Sequence, residues 1–390
     1  MGNRLSLIMT RSFSTGRRGI WLGYGEAMKP IRVIILGAGS GGQAMAAAIA
    51  LAGYEVVLYD RYEEAIAPVL QKGGIELSGV STQGLAPLAK ATTDLKEALL
   101  EEGLILIVLP AFAHAYIAEQ IAPLLRNDDM IILSPGSTGG ALEFRKILSE
   151  RGAPKDVKLG ETNTLIYACR ISGPGQVKIL GVKNYLGVAA LPARDTQALV
   201  EPLKELYPQA GAEKNVLSTG LNNMNPIFHV FPTLANLGWL EATQGNFRFY
   251  YDGITASVAK LVEAVDRERM MLCQSLGIST LSRIEWQKKF YGARGGSLLE
   301  VLQSNRSYEE IKAPPSKETR FLTEDVPMGL VPMAEIAKIT GVPTPFMDTA
   351  ILLASEIMGQ DYRRTGRNLK AMGLEGLNKE QLLRRVKEGD

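Results

Sequence analysis

The chain of 390 residues has only two histidines and two cysteines. So few histidines narrow the search for a proton carrier working near neutral pH. Cys169 and Cys273 form no CxxC and no zinc-ligand spacing, and HExxH is absent. No resident metal is expected, and a reducing, cytoplasmic compartment fits best. An excess of one charge is also missing, with 43 Lys and Arg against 41 Asp and Glu. That balance offers no field for nucleic acid or an anionic membrane, so neither is expected as a partner. No apolar run reaches the length of a membrane span: Leu104 to Ala118 is interrupted by polar residues and Pro110. There is no internal repeat and no G-x-S-x-G nucleophile elbow. What is present, 46% hydrophobic and 22% charged residues, suits ordinary globular cores, and the length suits two domains.

Residues 1–28 stand apart. Arg4, Arg11, Arg17 and Arg18 lie among serines with no acid before Glu26, a composition that imitates a mitochondrial presequence. The preferred reading is a loose extension ahead of the first strand.

The strongest signal follows. Ile31 to Leu36 reads as a buried strand, Gly37-Ala-Gly39-Ser40-Gly41-Gly42 as a glycine turn opening a small-residue helix, and Tyr54 to Asp60 as a second strand ending in an acid. Gly37, Gly39 and Gly42 match G-x-G-x-x-G, and Asp60 lies 21 residues after Gly39, where an acid reaches ribose hydroxyls. Helix-start amides favour a pyrophosphate. Asp60 should repel a 2′-phosphate, which favours NAD(H). Arg61 leaves NADP(H) open.

Two more strands are expected at Leu104–Leu109 and Met130–Leu133, a hairpin within Gly74–Leu88, and a strand pair near Val177 to Ala190. The alternation of strands and helices implies an α/β class, a Rossmann doubly wound parallel sheet, over residues 29–215. After about residue 215 the period becomes helical. Ile254, Val258, Leu261, Val262 and Val265 form one stripe, and Met347, Ile351, Ala354 and Met358 another. Residues 216–390 are read as an all-helical domain with a longer excursion over Gly277 to Lys317. Ligands bind at the carboxyl ends of such sheets, so the loop Leu109 to His114, with Pro110, Ala111 and His114, is expected to face the cofactor. Gly136 to Gly140 lacks the Lys-Ser/Thr of an ATP loop and reads as a tight strand-to-helix turn or a second cofactor-facing loop.

For chemistry, His229 lies in Asn222 to Pro232 at the opening of the helical domain, with Asn225 one helical turn earlier. A general acid/base and a hydrogen-bonded core histidine suit this position equally. Glu318 to Val331 holds Arg320, whose planar fork can grip a carboxylate, and Asp325, which could orient His229. A surface ion-pair cluster would look the same locally.

At these residues the chain resembles the octopine/opine dehydrogenase family. The resemblance runs from about residue 30 to the C-terminus. It is carried by Gly37 to Gly42, Pro135 to Arg145, Gly160-Glu-Thr162, Gly173 to Val177, Asn225 to Pro232, Arg320 to Val331, Gly341 to Pro345 and Asp361 to Arg367. It implies a Rossmann domain joined to a helical substrate and dimerisation domain. It also implies NAD(P)H-dependent reductive condensation of an amino acid with a 2-keto acid, often pyruvate, to an N-(1-carboxyalkyl) amino acid. The family's catalytic histidine falls on His229, and its charged partners fall on Arg320 and Asp325. Glu161 is expected to receive the substrate ammonium, with Asn225 as a further substrate contact. Val230 stands where relatives have proline. A simple 2-keto acid reductase and a non-catalytic dinucleotide-binding module remain the competing readings.

Overall fold

In the computed structural model, which describes residues 31–389, the apolar run Val33–Leu36 forms strand β1 with every residue buried. The presequence-like residues 1–28 lie outside the described range. A glycine turn leads into α1 (Ser40–Leu51), and β2 (Val56–Tyr59) returns parallel to β1. After α2 (Glu63–Lys72) comes the expected hairpin, β3 (Ile75–Gly79) and β4 (Gly84–Ala86), then β5 (Lys90–Thr92) and the short α3 (Leu95–Ala98). The chain continues through β6 (Leu104–Ile107), α4 (His114–Ile121), β7 (Met130–Leu133), α5 (Gly140–Glu150) and β8 (Lys158–Thr162). This half ends with β9 (Tyr167–Gly173), β10 (Gln176–Val182), β11 (Leu186–Leu191), α6 (Thr196–Leu206) and β12 (Ala210–Ala212).

The main sheet runs β12-β11-β8-β7-β6-β1-β2-β5, parallel except where β11 opposes β8. The chain moves outward from β1 to β5 and returns at β6, so the direction switches between β1 and β6. Their carboxyl ends define the ligand crevice of such a sheet. A second sheet, β4-β3-β10-β9, packs over α1. Enclosed between the two sheets, α1 shows little solvent face, which explains its run of alanines and glycines.

One expectation is corrected here. The strands near Val177 to Ala190 exist but do not pair: β10 joins β9 and β3 in the small sheet, whereas β11 joins β8 and β12 in the main one. Their burial explains the separation. β10 alternates between buried and exposed residues, as a half-solvated strand does, while β11 is buried throughout.

From Val216 the described chain is mainly helical: α7 (Val216–Leu221), α8 (Asn225–Ala235), α9 (Leu237–Thr243), α10 (Ala256–Ser275), α11 (Arg283–Tyr291), α12 (Leu298–Gln303), α13 (Arg320–Thr323), α14 (Val331–Thr340), α15 (Pro345–Met358), α16 (Tyr362–Thr365), α17 (Leu369–Met372) and α18 (Lys379–Glu388). Val258, Val262 and Val265 of α10 are buried as their spacing requires, as are Met347, Ile351 and Ala354 of α15. The excursion over Gly277 to Lys317 contains α11 and α12, each opened by a serine–glutamate capping box. The helical half shares one continuous core with a face of the main sheet. Among the described residues no helix is long and apolar enough to cross a membrane.

Candidate active site

The turn after β1 is built for close backbone approach. Gly37 sits at φ +116°, and a Cβ there would lie 2.4 Å from the Val108 carbonyl oxygen. A Cβ on Gly42 would lie 1.7 Å from the Gly37 carbonyl oxygen, so only glycine lets α1 pack on this turn. Gly39 differs: it is exposed, and a Cβ would meet nothing within 4 Å. The first turn of α1 has no side-chain cap and no acid. Its free amides, from Ser40 and Gly41 onward, fit an anionic pyrophosphate. The Ser40 hydroxyl accepts from the Ile171 N–H at 3.2 Å. Past β2, the Asp60 carboxylate accepts from the N–H groups of Ala38 (2.7 Å) and Tyr62 (3.1 Å), which fixes it against the turn. Arg61 is exposed, its guanidinium 4.6 Å and 5.0 Å from the ring centres of Tyr62 and Tyr116.

In the helical half, α8 opens on the exposed Asn225 and runs unbroken through the fully buried Val230. Asp325 follows α13 and starts a π-helical turn, Val326–Leu330, closed by the Leu330 N–H on the Asp325 carbonyl at 3.0 Å. Turns of this kind are frequent at functional sites. Gly329 lets the turn dock on α8: a Cβ there would lie 2.2 Å from Pro226 Cγ. This docking joins residues 96 apart in sequence, placing Asp325 Oδ2 2.7 Å from His229 Nδ1. The other ring nitrogen, Nε2, lies 3.2 Å from the Tyr250 hydroxyl, and the Phe321 ring stacks on the imidazole at 4.1 Å. The partners assign the proton to Nδ1, with Asp325 accepting it. Both side chains of the pair are 13% exposed. Burial lifts the Asp325 carboxyl above its usual range, an effect that the His229 hydrogen bond and charge only partly offset. Arg320 is 68% exposed at the start of α13 and pairs with Glu324 one turn on.

Glu324 connects this pair to the dinucleotide half. Its Oε1 accepts from the N–H of Ala111, in the loop after β6, at 2.9 Å. The Ala111 carbonyl is held by Arg367, which is 0% exposed. Arg367 also donates to Glu143 Oε2 (2.7 Å), to the carbonyls of Gly136 (3.3 Å) and Thr138 (2.9 Å), and toward His114 Nδ1 (3.5 Å). One arginine thus uses all of its N–H groups to fasten both crevice loops to the helical half. Glu324, Arg367, Tyr250 and Phe321 carry no local motif. Glu324 and Arg367 fall inside runs that carry the family resemblance, which was the available signal.

Two expected site residues lie in the interior. His114 is fully buried beneath its loop, and burial together with the Arg367 charge lowers its pKa to about 3. Burial and that charge hold it in the neutral form within the interior. Glu161 is also fully buried. Its carboxyl lies 2.8 Å from the Ala141 N–H at the start of α5 and 2.6 Å from the Thr219 hydroxyl of α7. It fills the space beside Gly136, where a Cβ would lie 2.2 Å from its Oε2. Its two carboxyl oxygens thus each meet a hydrogen-bonding protein group. The Gly136 to Gly140 loop is correspondingly a packed turn, with Met372 Sδ 2.4 Å from where a Gly139 Cβ would stand. Pro110 borders the crevice half-buried, while both main-chain groups of Ala111 are already engaged.

Comparison with known proteins agrees with this fold. Residues 212–358 match the NAD/NADP octopine/nopaline dehydrogenase alpha-helical domain, and residues 32–151 match the NAD-dependent glycerol-3-phosphate dehydrogenase N-terminus. The chain is 40% identical to an opine dehydrogenase of Arthrobacter sp. (strain 1C) over 343 residues, covering 88% of this chain and 95% of that protein. Its fold is similar to that of octopine dehydrogenase with NADH and L-arginine (TM-score 0.75, 22% identity, 92% and 98% of the two chains). The same enzyme with NADH and pyruvate gives a TM-score of 0.72 at 22% identity over 88% and 95%. Yersinopine dehydrogenase with NADP+ bound gives 0.72 at 14% identity over 92% and 98%. The protein belongs to the octopine/opine dehydrogenase family of NAD(P)-dependent oxidoreductases.

Proposed function

We propose that this protein condenses an amino acid with a 2-keto acid, pyruvate being the favoured one, and reduces the resulting C=N bond with NADH, or runs the reverse oxidation. The observation that carries this reading is the His229–Asp325 pair, at 2.7 Å, set one residue from the Glu324 contact to the crevice loop. The relatives' complexes with L-arginine, pyruvate and NADH support it.

The amine must be neutral to attack the ketone. His229, protonated on Nδ1 toward Asp325, keeps the Nε2 lone pair to take a proton from the substrate ammonium. The new cation is stabilised by Asp325. His229 then returns the proton to the carbinolamine oxygen, which leaves as water. A dinucleotide held at the Gly37 to Gly42 turn and Asp60 would supply the hydride that completes the secondary amine. Arg320, exposed and fork-shaped, binds a substrate carboxylate. Asp60, held at the glycine turn, disfavours a 2′-phosphate and supports NAD over NADP.

The test is NADH oxidation over a matrix of keto acids against amino acids, with product masses measured. Turnover requiring both partners is expected. Consumption of NADH by keto acid alone would indicate a simple reductase, and cofactor binding without any turnover would remove the enzymatic reading. A positioned acid/base contributes ~10²–10⁴-fold, so His229→Ala should lose at least about a hundredfold in turnover while still binding NADH. Tighter binding of NADPH than NADH would overturn the cofactor preference.

A further inference from the structure

Asp325 alone would favour a positively charged His229, since a carboxylate on Nδ1 stabilises the imidazolium. A charged imidazole has no lone pair with which to take a proton. Tyr250 supplies the opposing influence. It lies in the loop between α9 and α10 and is 7% exposed. Its ring is clamped between Phe228, stacked at 4.7 Å, and Tyr308 at 4.5 Å, and meets Phe249 edge-on at 5.0 Å. The clamp aims its hydroxyl at His229 Nε2.

We propose that Tyr250 is a positioning residue of the proton carrier: its hydroxyl donates to Nε2 and holds His229 neutral, as the Nδ1–H tautomer, until substrate replaces that bond. The inference rests on the reading of His229 as the proton carrier. Among the described residues the hydroxyl has no acceptor other than Nε2. Protonating His229 would therefore turn Tyr250 into an acceptor and strand the phenolic proton in a buried site. Burial also keeps Tyr250 a donor, pushing its hydroxyl well above the usual tyrosine range. Tyr308, Tyr291, Arg283 and Asp325 face Tyr250, and Glu324 and Arg320 act on Asp325. None of these six occupies Nε2, so the hydroxyl acts on that nitrogen alone.

The chain's two histidines make the test direct, because His114 is buried beneath the β6 loop and the other imidazole signal belongs to His229. Protein with isotope-labelled histidine is titrated by NMR. Tyr250→Phe keeps the ring and its stacking, and loses only the donor. The His229 midpoint should then rise by about half to one pH unit, the scale of one net hydrogen bond, and the acid limb of the turnover profile should move with it. Placing 3-fluorotyrosine at position 250, a stronger donor in an otherwise native protein, should lower the midpoint. Tyr308→Phe, which removes a hydroxyl not on Nε2, should leave it in place. An unchanged or lowered midpoint in Tyr250→Phe, no downward shift with fluorotyrosine, or an equal rise in Tyr308→Phe would each overturn the proposal. The NMR shift is read without turnover, so it stands or falls separately from the His229→Ala result.

Discussion

Glu161→Gln separates a buried structural carboxyl from a substrate-binding one. Burial pushes Glu161 up to about 7 from an ordinary 4.5, against the opposing effects of Thr219, the Ala141 N–H and the Arg367 charge. The hydrogen bonds agree with a held proton. The Thr219 hydroxyl lies 2.6 Å from Glu161 Oε1 and 3.0 Å from the Val216 carbonyl, and its single proton serves only one of them. If Thr219 donates to Val216, a protonated Glu161 donates to Thr219, and all three groups are satisfied. Because the folded state raises this pKa, the stabilisation is complete below about 4.5 and is lost as pH rises through 7. A gap of about 2.5 units corresponds to ~3 kcal/mol, as an order of magnitude. The glutamine side chain of the variant would keep both contacts without ever ionising, its oxygen accepting from Ala141 and its amide donating to Thr219. Guanidinium unfolding should therefore show the variant matching wild type at about pH 4 and exceeding it at about pH 8 by up to ~3 kcal/mol. Taking the difference between the two proteins cancels the other titrating groups. A pH-independent difference, or a wild type more stable at pH 8, would refute the protonated-carboxyl argument. A tenfold rise in KM for the amino acid would return Glu161 to the substrate site.

Arg367→Met strands the Glu143 carboxylate and three loop carbonyls in the interior. Breaking a buried pair in this way costs ~3–5 kcal/mol, read from the unfolding midpoint, and a loss below ~1 kcal/mol would mean that the clamp contributes little. Gly39→Ala and Gly42→Ala divide ligand from fold. Gly39 has an extended backbone at φ −69° and open space for a Cβ, so alanine there should leave stability within about 0.5 kcal/mol and weaken NADH binding at least ~tenfold. Gly42→Ala drives a methyl into the Gly37 carbonyl and should lose both stability and binding. Equal behaviour of the two variants, in denaturant melts and NADH titrations, would refute that division.

What the sequence disclosed, and what it hid, follows from where each residue's partners lie. β1, the glycine turn and α1 were legible because their constraints are local: four apolar residues buried on both faces, then glycines whose missing Cβ atoms make room for a neighbouring carbonyl. The helical stripes of α10 and α15 were legible for the same reason, since their period depends only on the chain itself. His229 and Asp325 stood out as candidates from their own surroundings, but the family resemblance was needed to choose their roles, because no local pattern pairs residues 96 apart. His114 and Glu161 follow from the rule that polar residues at the carboxyl ends of strands face ligands, and the structure buries both of them. Here Arg367, from far down the chain, binds main-chain carbonyls of both loops. The clamp made by this arginine had no local pattern for a related reason. Three of its five acceptors are main-chain carbonyls, of Ala111, Gly136 and Thr138, and a carbonyl is the same at every position. A side chain that binds backbone leaves no complementary residue for pattern reading to find. Two of the ties that hold the His229 half against the dinucleotide half, Arg367 to Ala111 and Glu324 to Ala111, are of this kind, so the sequence could indicate each half of the site more readily than these contacts that unite them.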